Sequence, residues 1–228
     1  SYLEMQLPVM ITFDLMHRTL KQVETKAFFL GVNGFCKTEI LQQIFSDLQN
    51  PLYVPERKVS NINDYVNSSI GYAQTSLSDS WEDILRNVLS GPAALFIDGF
   101  SQAVLIDART YPARSITEPD LEKSTRGSRD GFVETLLFNA NLIRRRVRST
   151  DLCFAMHSIG SSSKTDVAVA YLEGNVNRDL LRELSRVLDS LDVTSLTMGA
   201  KSLEELILPK KWWHPLPSIQ VTERPDVA

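Results

Sequence analysis

Three groups of residues in this 228-residue chain have types and spacings that suggest chemistry. The first is Gly31-x-x-Gly34-x-x-Lys37-Thr38, set between a strand-like and a helix-like run, where a phosphate-binding loop would stand. Such a loop needs glycine directly before its lysine so that backbone N–H groups can curl around the phosphates, and Cys36 stands there. A plain strand-to-helix turn fits better, and no nucleotide or other cofactor is expected. The second group is the run Arg144, Arg145, Arg146 and Arg148, which could meet nucleic acid, anionic lipid or acidic side chains. Four arginines neutralise at most about four phosphates, a weak grip. The formal net charge of −4 and a pI near 5.5 also argue against a polyanion-binding surface, so no nucleic-acid partner is expected. Pairing with Asp and Glu, added to the cation-favouring end of a helix, accounts for the run better. The third group is the carboxylates Asp98, Asp107, Glu118, Asp120 and Glu173 near strand ends, none with a nucleophile-base spacing or a ligand triad. Asp98-Gly99 reads as a turn. Cys36 and Cys153 match no metal or redox spacing, and His17, His157 and His214 do not cluster with them. The expectation is no catalytic residue, no metal site and no enzyme.

The arginines close the stretch with the strongest local pattern, Gly127 to Asp151. Phe132, Leu136, Ala140, Ile143 and Val147 recur at helical spacing, which predicts one apolar stripe on a helix on the order of 30 Å long. Asp130 can accept from the free N–H groups at its start, and the arginines complement its other end. Arg129 and Glu134 sit close enough to form a local ion pair that fixes the start of the helix.

This stretch resembles the signature of the A subunits of bacterial spore germinant receptors, the GerA family, in Arg129, Gly131, Phe132, Glu134, Asn139, Leu142, Arg144, Arg145, Arg146 and Arg148. Ser128 and Asp130 depart from it, where Pro and Glu would be expected. The resemblance runs on through Leu89 to Gly99 with Asp98 and Gly99, Glu118-Pro119, Ala168 to Gly174, and Thr222-Glu223-Arg224-Pro225-Asp226. Gly91-Pro92 and Lys210 to Pro217 are most similar to the family's stage V sporulation branch. The resemblance implies a soluble N-terminal domain of a spore inner-membrane protein, on the cytosolic or core side. It also implies a membrane domain after Ala228. The partners would be other subunits of an ion-conducting germination complex, assembled as a homo- or hetero-oligomer through that membrane domain. The domain would act in assembly, gating or sensing. An alternative is a module that binds a germinant or metabolite in a cleft between two subdomains.

A hydrophobic share of 43% can fill real cores. No run of about 18 or more apolar residues suggests a membrane span. The fold expected is α/β (α+β), two small related subdomains, each a mixed sheet with hairpins packed by helices. Leu15 to Leu20 and Lys26 to Val32 predict a hairpin, Ile40 to Leu48 a helix, Trp81 to Leu89 another, and Ala93 to Ile97 with Gln102 to Asp107 a second hairpin. Arg109 to Ile116 offers a further strand. Leu152 to Ile159 and Asp166 to Leu172 predict a third hairpin, followed by Gly174, an Asn177 cap and a helix through Leu191. The second half repeats the first at a constant offset of 140, with Met16-His17 matching Met156-His157, Gly34 matching Gly174 and Ile44 matching Leu184. The alternative is that any two strand-helix units share such a pattern. Boundaries are expected at 1–124, 125–208 and an extended tail 209–228 that lies beside the membrane. In that tail Trp212-Trp213, with Lys210, Lys211 and His214, reads either as an interfacial segment or as half-buried packing.

Overall fold

The computed structural model describes residues 12–21, 26–50, 61–72, 74–109, 130–162, 164–191, 193, 200–207 and 219–228. The chain divides into two compact units, Ser1–Ser115 with Arg144–Thr150, and Ile116–Ile143 with Asp151–Ala228. The polar stretch around 117–126 and the residues 110–116 lie outside the described residues, as do Trp212, Trp213 and their neighbours.

Unit 1 is built on a five-stranded antiparallel sheet of order β1-β2-β4-β5-β3: β1 Leu15–Lys21, β2 Lys26–Val32, β3 Thr75–Ser78, β4 Ala93–Ile97 and β5 Ala103–Ile106. β2 lies inside the sheet, paired with β1 on one side and β4 on the other, and its run Ala27-Phe28-Phe29-Leu30-Gly31-Val32 is apolar on both faces because both are covered. One face packs against helices α1 (Thr38–Gln49) and α2 (Ile62–Ser69), through Phe29, Leu41, Ile44, Leu48 and Tyr65. The other packs against α3 (Trp81–Ser90), through Leu30, Val32, Ile84, Val88 and Leu89. α1 stops at Asn50, whose extended backbone is the conformation favoured before Pro51. α3 starts at the Ser80 cap and stops at Gly91, whose φ of 132° and close neighbour Arg109 leave no room for a side chain. The turn between β4 and β5 contains Asp98 and Gly99, with φ of 91° at the glycine. β3 is an edge strand that the polar sequence Thr-Ser-Leu-Ser did not announce.

Unit 2 holds helix α4 (Leu136–Arg146), the hairpin β6 (Leu152–Ile159) and β7 (Thr165–Leu172), then α5 (Arg178–Ser190) and α6 (Ala200–Ile207). Residues from Arg144 on at the end of α4 belong to unit 1. α4 is 11 residues, about 16 Å, so the expected long helix is corrected: Asp130 to Thr135 lie outside it. Its buried residues are Ala140, Asn141 and Arg144, with Leu136 and Ile143 half-buried and Val147 exposed, so two polar side chains take the most buried places where only an apolar stripe was expected. α5 is capped as expected: the Asn177 side chain accepts from the N–H groups of Asp179 (2.9 Å) and Leu180 (3.2 Å).

The repeated pattern is real in the backbone, with one correction. Strand β7, the turn and α5 match β2, its turn and α1 at the expected offset of 140. Leu15 pairs with Val32 and Leu152 with Leu172, so the first strand matches at 137 instead. The second hairpin is three residues longer, one in each strand and one between them. In each copy an aspartate carbonyl before the first strand holds the residue after the second. Asn33 donates to Asp14 O (2.7 Å), and Glu173 donates to Asp151 O (2.8 Å). The next bonds also match, Phe35 N–H to Val32 O and Asn175 N–H to Leu172 O.

Candidate functional site

The signature segment is where the chain places polar side chains inside the protein. In unit 1, Arg144 and Asp14 are both fully buried. Arg144 Nε donates to Asp14 Oδ2 at 2.6 Å and Nη2 to Oδ1 at 3.0 Å, a two-point contact between planar groups. Nη1 donates to the Ser149 carbonyl at 2.9 Å, and the Thr12 hydroxyl donates to Asp14 Oδ1. The pair therefore ties the residues before β1 to the residues after α4. Burying both charges is tolerated because each has partners, and removing either one leaves the other stranded. Arg145 and Arg146 are half-buried, and Arg148 is exposed with Nε donating to the Arg145 carbonyl (3.2 Å). The four arginines thus occupy different environments, which their uniform spacing did not reveal.

In unit 2, Asn139 closes a ring with Val133. Its Oδ1 accepts the Val133 N–H at 2.8 Å and its Nδ2 donates to the Val133 carbonyl at 2.6 Å. An amide side chain used this way mimics a backbone partner and holds the preceding turn out of helical geometry, which explains the late start of α4. One residue earlier, the Phe132 N–H donates to the Glu223 carbonyl at 2.8 Å, clipping the C-terminal segment to the signature turn. That segment is itself fixed. Arg224 N–H donates to Thr222 Oγ1, the Arg224 guanidinium holds Asp226 at 2.6 and 3.1 Å, and the Val227 and Ala228 N–H groups return to the Arg224 carbonyl. Pro225 is buried in this turn. Gly131 and Phe132 are half-buried, and Glu134 and Glu223 are exposed; Arg129 lies outside the described residues, and with it the pair expected with Glu134.

The other groups can be placed too. The N–H of Phe35 is bonded to Val32 O and that of Lys37 to Ala108 O, so the donors a phosphate loop would need are taken by the fold. Cys36 is buried with its thiol pushed up to about 11, mainly by burial, next by Asp107, with Arg109 opposing. Such a thiol is not a nucleophile at neutral pH. The hydrogen bond from Arg109, more than its charge, holds the Asp107 carboxyl below the usual range. No cluster of His, Cys, Asp and Glu fit to hold a metal occurs among the described residues. A groove of about 600 Å³ runs along α5 beside Leu181, Arg182, Ser185, Arg186, Asp189 and Ser190. Arg182 pairs with Asp179, Arg186 with Glu183 and Asp189 with His157, so these groups do not converge on the groove. Asp14 was not singled out in the sequence. The signal for Asp14 was the recurrence of Asp-Leu before a strand, at Asp14-Leu15 and Asp151-Leu152.

The description of the Bacillus/Clostridium GerA spore germination proteins matches residues 1–228, and the chain belongs to that family. It is 35% identical over 219 residues to the stage V sporulation protein AF of Bacillus subtilis (strain 168), covering 95% of this chain and 44% of the relative. It is 29% identical to spore germination protein KA of the same organism, covering 94% of this chain and 40% of the relative. The chain thus spans less than half the length of these relatives. In structure it is similar to the N-terminal domain of the A subunit of the Bacillus megaterium spore germinant receptor GerK3, with a TM-score of 0.67 and 24% identity over 95% of this chain and 79% of that one. The family and the association with sporulation and germination agree with what the signature implied, and the mixed α and β fold agrees with the hairpin and helix patterns. No helix among the described residues is long and apolar enough to cross a membrane.

Proposed function

We propose that this chain is the N-terminal part of a spore inner-membrane germination protein and serves in assembly and gating of an ion-conducting complex, with no catalysis of its own. On this reading it stands on the cytosolic or core side of the membrane, and the residues after Ala228 carry the membrane domain. The observation that supports it is a division of labour within the signature. Asn139, Arg144, the Phe132 amide and Pro225 face inward and fix the fold, whereas the Glu134 and Glu223 carboxylates and the Arg148 side chain are exposed. Internal packing does not require the identity of the exposed residues, so a partner subunit is the natural reader of their charge. The clip between Phe132 and Glu223 would carry a change at Glu134 into the C-terminal segment.

The test is charge reversal of Glu134 and Arg148 in the full-length protein. Each change is expected to leave the 228-residue chain within about 0.5 kcal/mol of wild-type stability. The same changes should remove partner subunits from the purified complex and slow ion release on germination. Wild-type assembly and ion release in the doubly reversed protein would overturn the reading.

A further inference from the structure

We propose that residues 131–135 form a switch between turn and helix: α4 can grow back to an Asp130 cap, and when it does it lets go of the C-terminal segment. The chain carries the signals of the longer helix. Phe132, Leu136, Ala140 and Ile143 keep helical spacing, and Asp130 stands where a cap reaches the N–H groups two and three residues on. Glu134 would also lie near the positive end of that helix. The observed turn runs against these signals and is held by three bonds. Val133 exchanges two with the Asn139 side chain, and the Phe132 N–H is held by the Glu223 carbonyl at 2.8 Å.

The two arrangements satisfy the same groups with different partners. The N–H groups of Phe132 and Val133, now given to Glu223 and Asn139, are the two that an Asp130 cap takes. Asp130 has a contact of its own in the turn, which it trades for them. The Val133 carbonyl, now held by Asn139 Nδ2, would accept from the Leu137 N–H four residues on. Helix growth also supplies the Leu136 and Phe138 N–H groups with the carbonyls of Phe132 and Glu134, partners that the first turn of a helix lacks within itself. Asn139 is half-buried, so its freed amide turns to water. An exchange of this kind keeps the two free energies close, as a bistable segment requires.

Asn139 sets the balance. Asparagine is a poor helix former inside α4, and both of its side-chain bonds go to the turn. The Phe132 clip gives the switch its reach. At the second position of a helix the Phe132 N–H points back to the cap, away from Glu223. Thr222 to Asp226, joined to one another by local bonds, would then move as a piece. Growth from Leu136 back to Gly131 lengthens α4 by about 7.5 Å.

The experiment is solution NMR of the 228-residue chain on wild type, Asn139→Ala and Leu136→Pro, with urea unfolding to confirm the fold of each. Asn139→Ala removes both amide bonds and favours the helix. Helical carbon shifts are expected at Phe132 to Thr135, with about tenfold or greater protection of the Leu137 and Phe138 amides from hydrogen exchange. The signals of Thr222 to Arg224 should move toward coil values. Leu136→Pro puts proline at the first residue of the observed helix, where it fits, and breaks the longer one. Wild type should show a minor state of about 0.1–10% in relaxation dispersion at Phe132, Val133 and Glu223, with one common rate and helical shifts at the first two. Leu136→Pro should abolish it, a comparison that stands even where Asn139→Ala fails to fold. A wild type without this exchange, a proline variant that keeps it, or an alanine variant that folds with residues 132–135 not helical would each overturn the proposal. Helix growth that leaves Thr222 to Arg224 unchanged would do the same. Wild-type assembly in the doubly reversed Glu134 and Arg148 protein would leave this result untouched.

Discussion

Arg144→Met tests the buried pair most directly. The substitution keeps much of the stem but removes the guanidinium from a site where both it and Asp14 are 0% exposed. Asp14 keeps the Thr12 hydroxyl but loses two donors, and the Ser149 carbonyl loses one. Stranding one partner of a buried pair costs about 3–5 kcal/mol, a large part of the roughly 5–15 kcal/mol that holds a domain folded. For a chain of this size that loss lowers Tm by roughly 6–20 °C. Urea titration, with Arg148→Ala as control, separates this from a surface effect, since the control should stay within about 0.5 kcal/mol. The decisive step is the double variant Asp14→Leu with Arg144→Met. With both charges gone the main penalty vanishes, so the double variant should be more stable than the sum of the single losses predicts by about 2 kcal/mol or more. A single variant no worse than Arg148→Ala, or losses that simply add, would refute the reasoning.

Two further outcomes follow from the same physics. Gly91→Ala should cost clearly more than Gly99→Ala, by about 1–3 kcal/mol in denaturant titrations. Both glycines have positive φ, but a Cβ at Gly91 would sit 2.5 Å from Arg109 Cδ, whereas at Gly99 it meets nothing within 4 Å. Cys36 should resist thiol reagents at pH 8 until the chain is unfolded. Because its pKa is raised from 9.0 to about 11, its contribution to stability is full below pH 9 and lost as pH rises to about 11, by at most about 3 kcal/mol. Fast labelling of the folded chain, or Cys36→Ala having no effect on the alkaline arm of the stability profile, would contradict this.

The sequence carried most of the elements of this fold because their signals are local. The Gly91 stop, the Asp98-Gly99 turn, the Asn177 cap and the three hairpins each depend on residues a few positions apart. What it hid depends on distant partners. Asp14 and Arg144 are 130 residues apart, so the sequence pointed to pairing with Asp or Glu without naming the partner, and added the helix end as a second cause. That cause accounts for cations in the last turn but not for one being fully buried. α4 was drawn too long for a related reason. Phe132 and Leu136 do stand at helical spacing, yet Asn139 offers Val133 a donor and an acceptor, and that competing pattern wins locally.

The repeat shows how a correct pattern can still carry a wrong register. Matching Met16-His17 to Met156-His157 assumed that both hairpins have one length, and the offset after the turn supported it. Backbone pairing sets Leu15 against Leu152 instead, which turns His17 into the counterpart of Phe154. The shift of three is odd, so it moves every side chain of the first strand to the other face relative to the sequence match. It also brings Asp14 and Asp151 into correspondence, and both carbonyls then hold the same position after the second strand. Only the side chains differ: Asp14 is buried against Arg144, whereas Asp151 is exposed. The backbone role of this aspartate is therefore common to both modules, whereas the buried pair with Arg144 is made by Asp14. Arg144→Met should for that reason destabilise unit 1 without loosening the β6–β7 hairpin, and amide hydrogen exchange can separate the two. Faster exchange in β1 and β2 with unchanged exchange in β6 and β7 is the expected result, and equal acceleration in both hairpins would show that the pair supports more than its own module.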